Sequence, residues 1–182
     1  MQTDSQIQQA ATIIRNAGVI AYPTESVFGL GCDPHSEQAV NKILQLKTRP
    51  VDKGLIIIAA NLEQLEPYID LSEEQKQKIR NEKSAITWLV KKSDIAPNWI
   101  HGNHPKIAVR VSRHPTVVKL CNAINQPIVS TSANPAGKAP AISRQQSMDY
   151  FSSGVDLYLN DSTHFSGQPT QIKDIETDGV IR

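Results

Sequence analysis

The stretch K-T-R-P-V-D-K-G at residues 47–54 sets three cations, Lys47, Arg49 and Lys53, around a proline and closes on a glycine. An arginine offers a planar fork that matches phosphate or carboxylate oxygens, and a lysine offers a compact point charge. Pro50 biases Arg49 toward an extended backbone, so three cations at a helix-to-strand junction can converge on one set of oxygens. The same cations also suit a solvated helix end, where positive charge meets the negative pole of the helix. Either way, the spacing predicts Lys47 and Arg49 to be at least partly exposed.

Three further stretches carry groups able to bind. Y-P-T-E-S-V-F-G-L-G-C-D-P at 22–34 places Thr24, Glu25 and Ser26 just past an apolar run, where open α/β sheets bind ligands. A structural turn accounts for the same residues, and G-L-G alone is neither a P-loop nor a dinucleotide fingerprint. In A-V-R-V-S-R-H-P at 108–115, Arg110 is embedded among Ala108, Val109 and Val111. A half-buried guanidinium requires an anion or several acceptors, so Arg110 meets either a ligand or an internal ion pair. Arg113 and His114 read as surface residues. S-T-S-A-N-P-A-G-K-A-P at 130–140 gathers small and hydroxyl residues that allow close approach of a ligand and supply neutral donors.

The elements that must position these groups alternate along the chain. Asp4 or Ser5 can cap a helix with Ile7, Ala10, Ala11 and Ile14 on one face, ended near Gly18. G-V-I-A-Y reads as a buried strand, Pro23 to Pro34 as a loop, and Ser36 to Leu46 as a helix. L-I-I-I-A-A, A-I-T-W-L-V, K-I-A-V-R-V and P-I-V-S-T read as strands; Ser72 to Arg80 and Pro115 to Ile124 read as helices. Weaker signals lie at 143–151, 155–159 and 179–181. The pattern predicts one α/β domain over residues 1–182, with a mixed, twisted open sheet and flanking helices.

Composition narrows the functional classes. A formal charge of +1 in 182 residues excludes a chain coated in basic charge, so any cationic site is local. Cys32 and Cys121 lie far apart with no C-x-x-C pattern, which suggests neither a zinc site nor a disulfide scaffold. With no apolar run of membrane-spanning length and a polar N-terminus, a cytoplasmic protein without membrane contact is expected.

Taken in order, P-T-E-S-V-F-G-L, K-T-R-P-V-D-K-G, A-V-R and S-T-S-A-N resemble the YrdC/TsaC family of L-threonylcarbamoyladenylate synthases, over nearly the whole chain. The K-x-R and S-x-N pairs of that family fall on Lys47, Arg49, Ser132 and Asn134. The resemblance implies a concave, positively charged face and a reaction of L-threonine, bicarbonate or carbon dioxide, and ATP. The products would be threonylcarbamoyl-AMP and pyrophosphate, with other proteins passing the group to a tRNA adenosine beside the anticodon. It further implies catalytic roles for Lys47 and Arg49 and phosphate contacts from Arg49 and Lys53. Thr24, Arg110, Ser130 and Thr170 would hold threonine, with Ser132 and Asn134 on the nucleotide side. Magnesium would arrive with ATP, since the sequence shows no acidic metal cage. Two stretches depart from the family: E-K-S-A-I-T at 82–87 keeps only Thr87 of P-G-P-x-T, and G-Q-P-T at 167–170 offers Thr170 where a Ser-Thr pair is usual.

Two other readings compete. An RNA-binding module could use the same cations on double-stranded RNA or tRNA, although the net charge and an aromatic content of 5% argue against it. A different carbamoyl or nucleotidyl transferase could use the same cleft.

Overall fold

The computed structural model describes residues 4–160 and 170–181. Its helices are α1 (Asp4–Arg15), α2 (Glu37–Lys47), α3 (Glu73–Asn81), α4 (Asn98–His101), α5 (Pro115–Ile124) and α6 (Arg144–Phe151). Its strands are β1 (Ile20–Pro23), β2 (Phe28–Gly31), β3 (Ile56–Ala59), β4 (Thr87–Lys91), β5 (Lys106–Val111), β6 (Ile128–Ser132), β7 (Leu157–Tyr158) and β8 (Ile172–Asp174). These strands form one mixed sheet in the order β7-β1-β2-β6-β3-β5-β4-β8. Pairs β7–β1, β3–β5 and β4–β8 are parallel, and the remaining neighbours antiparallel.

The helices form where the apolar spacing places them. Ile7, Ala10, Ala11 and Ile14 of α1 are all buried. Ser36 caps α2 by accepting from the Ala39 amide, and Ser72 with Gln75 forms a reciprocal capping box on α3. The left-handed residue after α1 is Ala17 rather than Gly18. The segment read as a loop from Pro23 to Pro34 contains β2. Two of its four residues are glycines, which hide a strand from propensity. His114, read as a surface residue, is buried as the N-cap of α5, its Nδ1 accepting from the Thr116 amide. Arg113 is exposed, as expected.

Alternation along the strands sorts the core onto the two faces of the sheet. Ala21, Phe28, Leu30, Ile57, Ala59, Ile107, Val109 and Val129 belong to the core on one face. Ile20, Tyr22, Ile58 and Ile128 point the other way, toward apolar residues of α1 and α5. These two helices pack on each other and cover β1 and the adjoining part of β3. Further along that same face stand Ile56, Leu89, Lys106, Ala108, Arg110, Ser130 and Ser132, which line a cavity instead. Among the described residues, the site is the part of this sheet face that α1 and α5 leave uncovered.

Candidate active site

The cavity has a volume of about 520 Å³, within the range of roughly 300–1,000 Å³ usual for small-molecule sites. It brings together Thr24, Arg49, Lys53, Arg110, Ser130, Ser132 and Thr170. Lys47 and Asn134 lie behind it, outside the lining.

The reason for this split is the end of α2. Thr48 takes a left-handed conformation (φ 49°), and the Arg49 amide bonds back to Leu44 O, a Schellman-type closure. Lys47, the last helical residue, continues the buried stripe of Val40, Ile43 and Leu44 and so faces inward, while the turn at Thr48 sends Arg49 to the cavity. Lys47 is only 5% exposed, against the expectation from its place at a helix end. Its ammonium donates to Ser132 O, to Asn134 O (2.8 Å) and to Asn134 Oδ1 (3.3 Å). Burial, and then the neighbouring Arg49 charge, push its pKa down to about 8; the three acceptors oppose that fall by favouring the charged form.

Arg49 holds the next turn. Its Nε and Nη2 donate to Gly54 O at 3.3 and 2.9 Å, and Nη2 also donates to Lys53 O at 3.2 Å. Gly54 sits at φ 60°, ψ 168°, a region open in practice only to glycine. The glycine closing the cationic stretch is thus required by backbone geometry, and it delivers Lys53 to the cavity wall.

Arg110 lies on the cavity floor, 5% exposed. Its Nη1 donates to Thr170 Oγ1 at 2.9 Å, and its buried Nε has no hydrogen-bond partner among the described residues. Thr170 also meets Thr87 across 3.2 Å, so the two threonines of the altered segments share one contact. The rest of G-Q-P-T lies outside the described residues. Behind Arg110, Glu25 Oε1 accepts from Ser112 Oγ (2.5 Å) and the Arg113 amide (3.2 Å). Burial raises the Glu25 pKa, but the Arg110 charge and the Ser112 hydrogen bond outweigh it and hold the carboxyl below its ordinary value.

The hydroxyls differ in what they can still do. Thr24 Oγ1 donates to Val27 O at 2.7 Å, closing its own turn, so it keeps acceptor capacity only. Ser130 Oγ accepts from Tyr22 OH at 2.8 Å, which leaves the serine proton for the cavity. Ser132 Oγ donates to Asn134 Oδ1 at 2.6 Å, and Asn134 Nδ2 donates to Lys138 O at 2.8 Å. Sequence reasoning missed Leu89, His101, Lys106, Ile172 and Ile181 of the lining. For Lys106 a signal existed, since Lys106, Ala108 and Arg110 alternate on one face of β5. Its ammonium holds Asp174 and Glu176, both at 2.6 Å, and so ties the turn after β8 to the cavity wall.

The family model for Sua5/YciO/YrdC proteins, described as telomere recombination, matches residues 12–182. The chain belongs to this family. Threonylcarbamoyl-AMP synthase of Cellvibrio japonicus (strain Ueda107) is 46% identical over 179 residues, covering 97% of this chain and 95% of the relative. The protein of the same name from Acinetobacter baylyi is 45% identical over 187 residues, with 98% and 97% covered. Among solved structures, P. abyssi Sua5 complexed with L-threonine matches with a TM-score of 0.88 at 31% identity. That match covers 94% of this chain and 51% of Sua5, so the chain spans about half the length of that protein. E. coli YciO matches with a TM-score of 0.87 at 25% identity, over 99% of this chain and 89% of YciO. The mixed eight-stranded sheet with flanking helices is therefore the Sua5/YciO/YrdC fold.

Proposed function

We infer that this chain is a threonylcarbamoyl-AMP synthase, converting L-threonine, bicarbonate or carbon dioxide, and ATP into L-threonylcarbamoyladenylate and pyrophosphate. This is the first step of threonylcarbamoyladenosine formation beside the anticodon of tRNA. The observation that carries the reading is Arg110, a buried guanidinium on the cavity floor whose Nε has no hydrogen-bond partner among the described residues. An arginine in that state suits a small carboxylate entering from the cavity.

The residues divide the work by charge. Arg110 takes the threonine carboxylate and Ser130 faces the same molecule, while Arg49 and Lys53 meet phosphate oxygens. The carbamate oxygen formed on the threonine amine attacks the α-phosphorus, and the bond to the pyrophosphate oxygen breaks. Two anions must approach while charge builds on the leaving group, so fixed cations lower the barrier through positioning and electrostatics, without a side-chain nucleophile. The lining carries Arg49, Lys53, Lys106 and Arg110 and, among the described residues, no carboxylate. That set suits phosphate oxygens, and magnesium would arrive bound to the ATP substrate. Among the described residues no helix is long and apolar enough to cross a membrane. A product consumed in tRNA modification suits a cytoplasmic protein, with transferase proteins as its downstream partners.

The test combines the parent protein with ATP, magnesium, bicarbonate and L-threonine, and looks for threonylcarbamoyl-AMP by mass spectrometry. Arg110→Lys is expected to weaken threonine binding at least tenfold in calorimetric titration and to leave ATP binding within twofold. It keeps the charge but loses the fork. No product from the parent, or equal losses of both ligands in the variant, would overturn the reading.

A further inference from the structure

We propose that Tyr22 is a positioning residue that acts through Ser130, fixing the serine hydroxyl as a donor to the bound amino acid. This rests on the reading of the cavity as the threonine site. Tyr22 belongs to β1 and Ser130 to β6, and β2 lies between them in the sheet. The two strands are therefore about 9.5 Å apart, two strand spacings. The tyrosine ring reaches across β2 along the sheet surface, and its hydroxyl arrives 2.8 Å from Ser130 Oγ.

That crossing is possible only because β2 presents no side chain on this face. A Cβ on Gly31 would lie 2.7 Å from Tyr22 Cε1, and one on Gly29 would lie 3.3 Å from Cζ. Both glycines of G-L-G thus clear the path of one ring. Tyr22 is wholly buried among Ile20, Ile58, Ile128 and residues of α1 and α5, where phenylalanine would pack equally well. The hydroxyl is what the path serves.

The direction of the hydrogen bond gives the consequence. Burial raises the Tyr22 pKa well above its ordinary value, so the phenol keeps its proton and donates. Ser130 therefore accepts from Tyr22, and its own proton is left to point into the cavity it lines. Without Tyr22, Ser130 can turn that proton elsewhere, and the bound amino acid loses a fixed donor.

The test is a double-mutant cycle of Tyr22→Phe and Ser130→Ala in the full chain, with steady-state threonine and ATP kinetics and thermal melting of each variant. Ser130→Ala is expected to raise the threonine KM about tenfold. Tyr22→Phe should raise it at least fivefold, leave the ATP KM within twofold, and add less than twofold when combined with Ser130→Ala. Tyr22→Phe with an unchanged threonine KM, or with effects that multiply in the double variant, overturns the proposal and leaves the threonine site standing. A fall in melting temperature together with equal losses for both substrates makes Tyr22 structural and also overturns it. An unchanged threonine KM in Ser130→Ala removes the threonine assignment itself.

Discussion

Lys47→Met isolates the ammonium, because methionine keeps most of the stem and removes the charge. In the parent at neutral pH, the buried charge carries a cost. A fall in pKa from 10.5 to about 8 corresponds, at about 1.4 kcal/mol per unit, to ~3 kcal/mol. Removing the charge recovers that amount. The same change deletes three hydrogen bonds from a charged donor, to Ser132 O, Asn134 O and Asn134 Oδ1, each worth about 1.5–3 kcal/mol. The longest of them, at 3.3 Å, lies at the low end. The opposing contributions leave a net destabilisation of about 1.5–4.5 kcal/mol, read by urea unfolding. Activity should fall far more, by about a hundredfold, because Ser132 and the turn after it lose their anchor at the cavity edge. An unchanged unfolding midpoint, combined with a loss confined to ATP affinity, would show that Lys47 reaches phosphate instead.

The pH dependence follows from the same side chain. A lysine whose pKa is lower in the folded state binds its proton less tightly than in the unfolded chain. Its contribution to stability therefore rises with pH between about 8 and 10.5, the two values concerned. Activity should move the opposite way, falling above about pH 8 as the ammonium that holds the loop loses its proton. A rate profile paired with unfolding measurements over this range separates the two trends. Parallel trends would refute the anchoring role.

Gly54→Ala forces an L side chain onto φ 60°, ψ 168° and should cost about 1–3 kcal/mol; because Arg49 clasps the Gly54 carbonyl, the ATP KM should rise as well, both read on one preparation. Thr48→Gly relieves a β-branched residue at φ 49° and should raise stability by about 1 kcal/mol in denaturant unfolding. Among amino-acid competitors, serine should drive pyrophosphate release faster than valine at matched concentrations. A missing methyl costs only about 1–3 kcal/mol, while a missing hydroxyl leaves a buried donor unpaired.

Much of the fold was legible because apolar spacing and caps act locally. The buried stripe of α1, the Ser36 and Ser72 caps and strands β3 to β6 are all read from neighbouring residues. Strand β2 was not legible, because its two glycines are dictated by a ring on another strand, a tertiary cause with no local signature. Strand β8 is three residues long and forms beside β4, which supplies its hydrogen-bonding partner. At the site, the cationic stretch names three residues but not their directions: Arg49 and Lys53 line the cavity and Lys47 does not. Lys47 faces the core because it continues the buried stripe of Val40, Ile43 and Leu44, while the direction of Arg49 depends on the sign of φ at Thr48, and threonine is a residue from which a left-handed turn is not expected. Thr24 shows the same limit, since its hydroxyl is committed to Val27 by the turn it closes.

The two paired motifs acquire a single explanation from this geometry. In K-x-R, Arg49 lines the cavity and Lys47 faces away; in S-x-N, Ser132 lines the cavity and Asn134 faces away. The two outward residues line the cavity, and the two behind hold each other through Lys47 Nζ and the Asn134 oxygens. Asn134 Oδ1 also accepts from Ser132, which links the back of the site to its front. A helix end and a strand end 85 residues apart in sequence are thereby tied together at the edge of the cavity. Arg49 is fixed by the Gly54 and Lys53 carbonyls, whereas Ser132 takes its place from the Lys47–Asn134 contact, so loss of Lys47 should disturb the S-x-N side more than the K-x-R side.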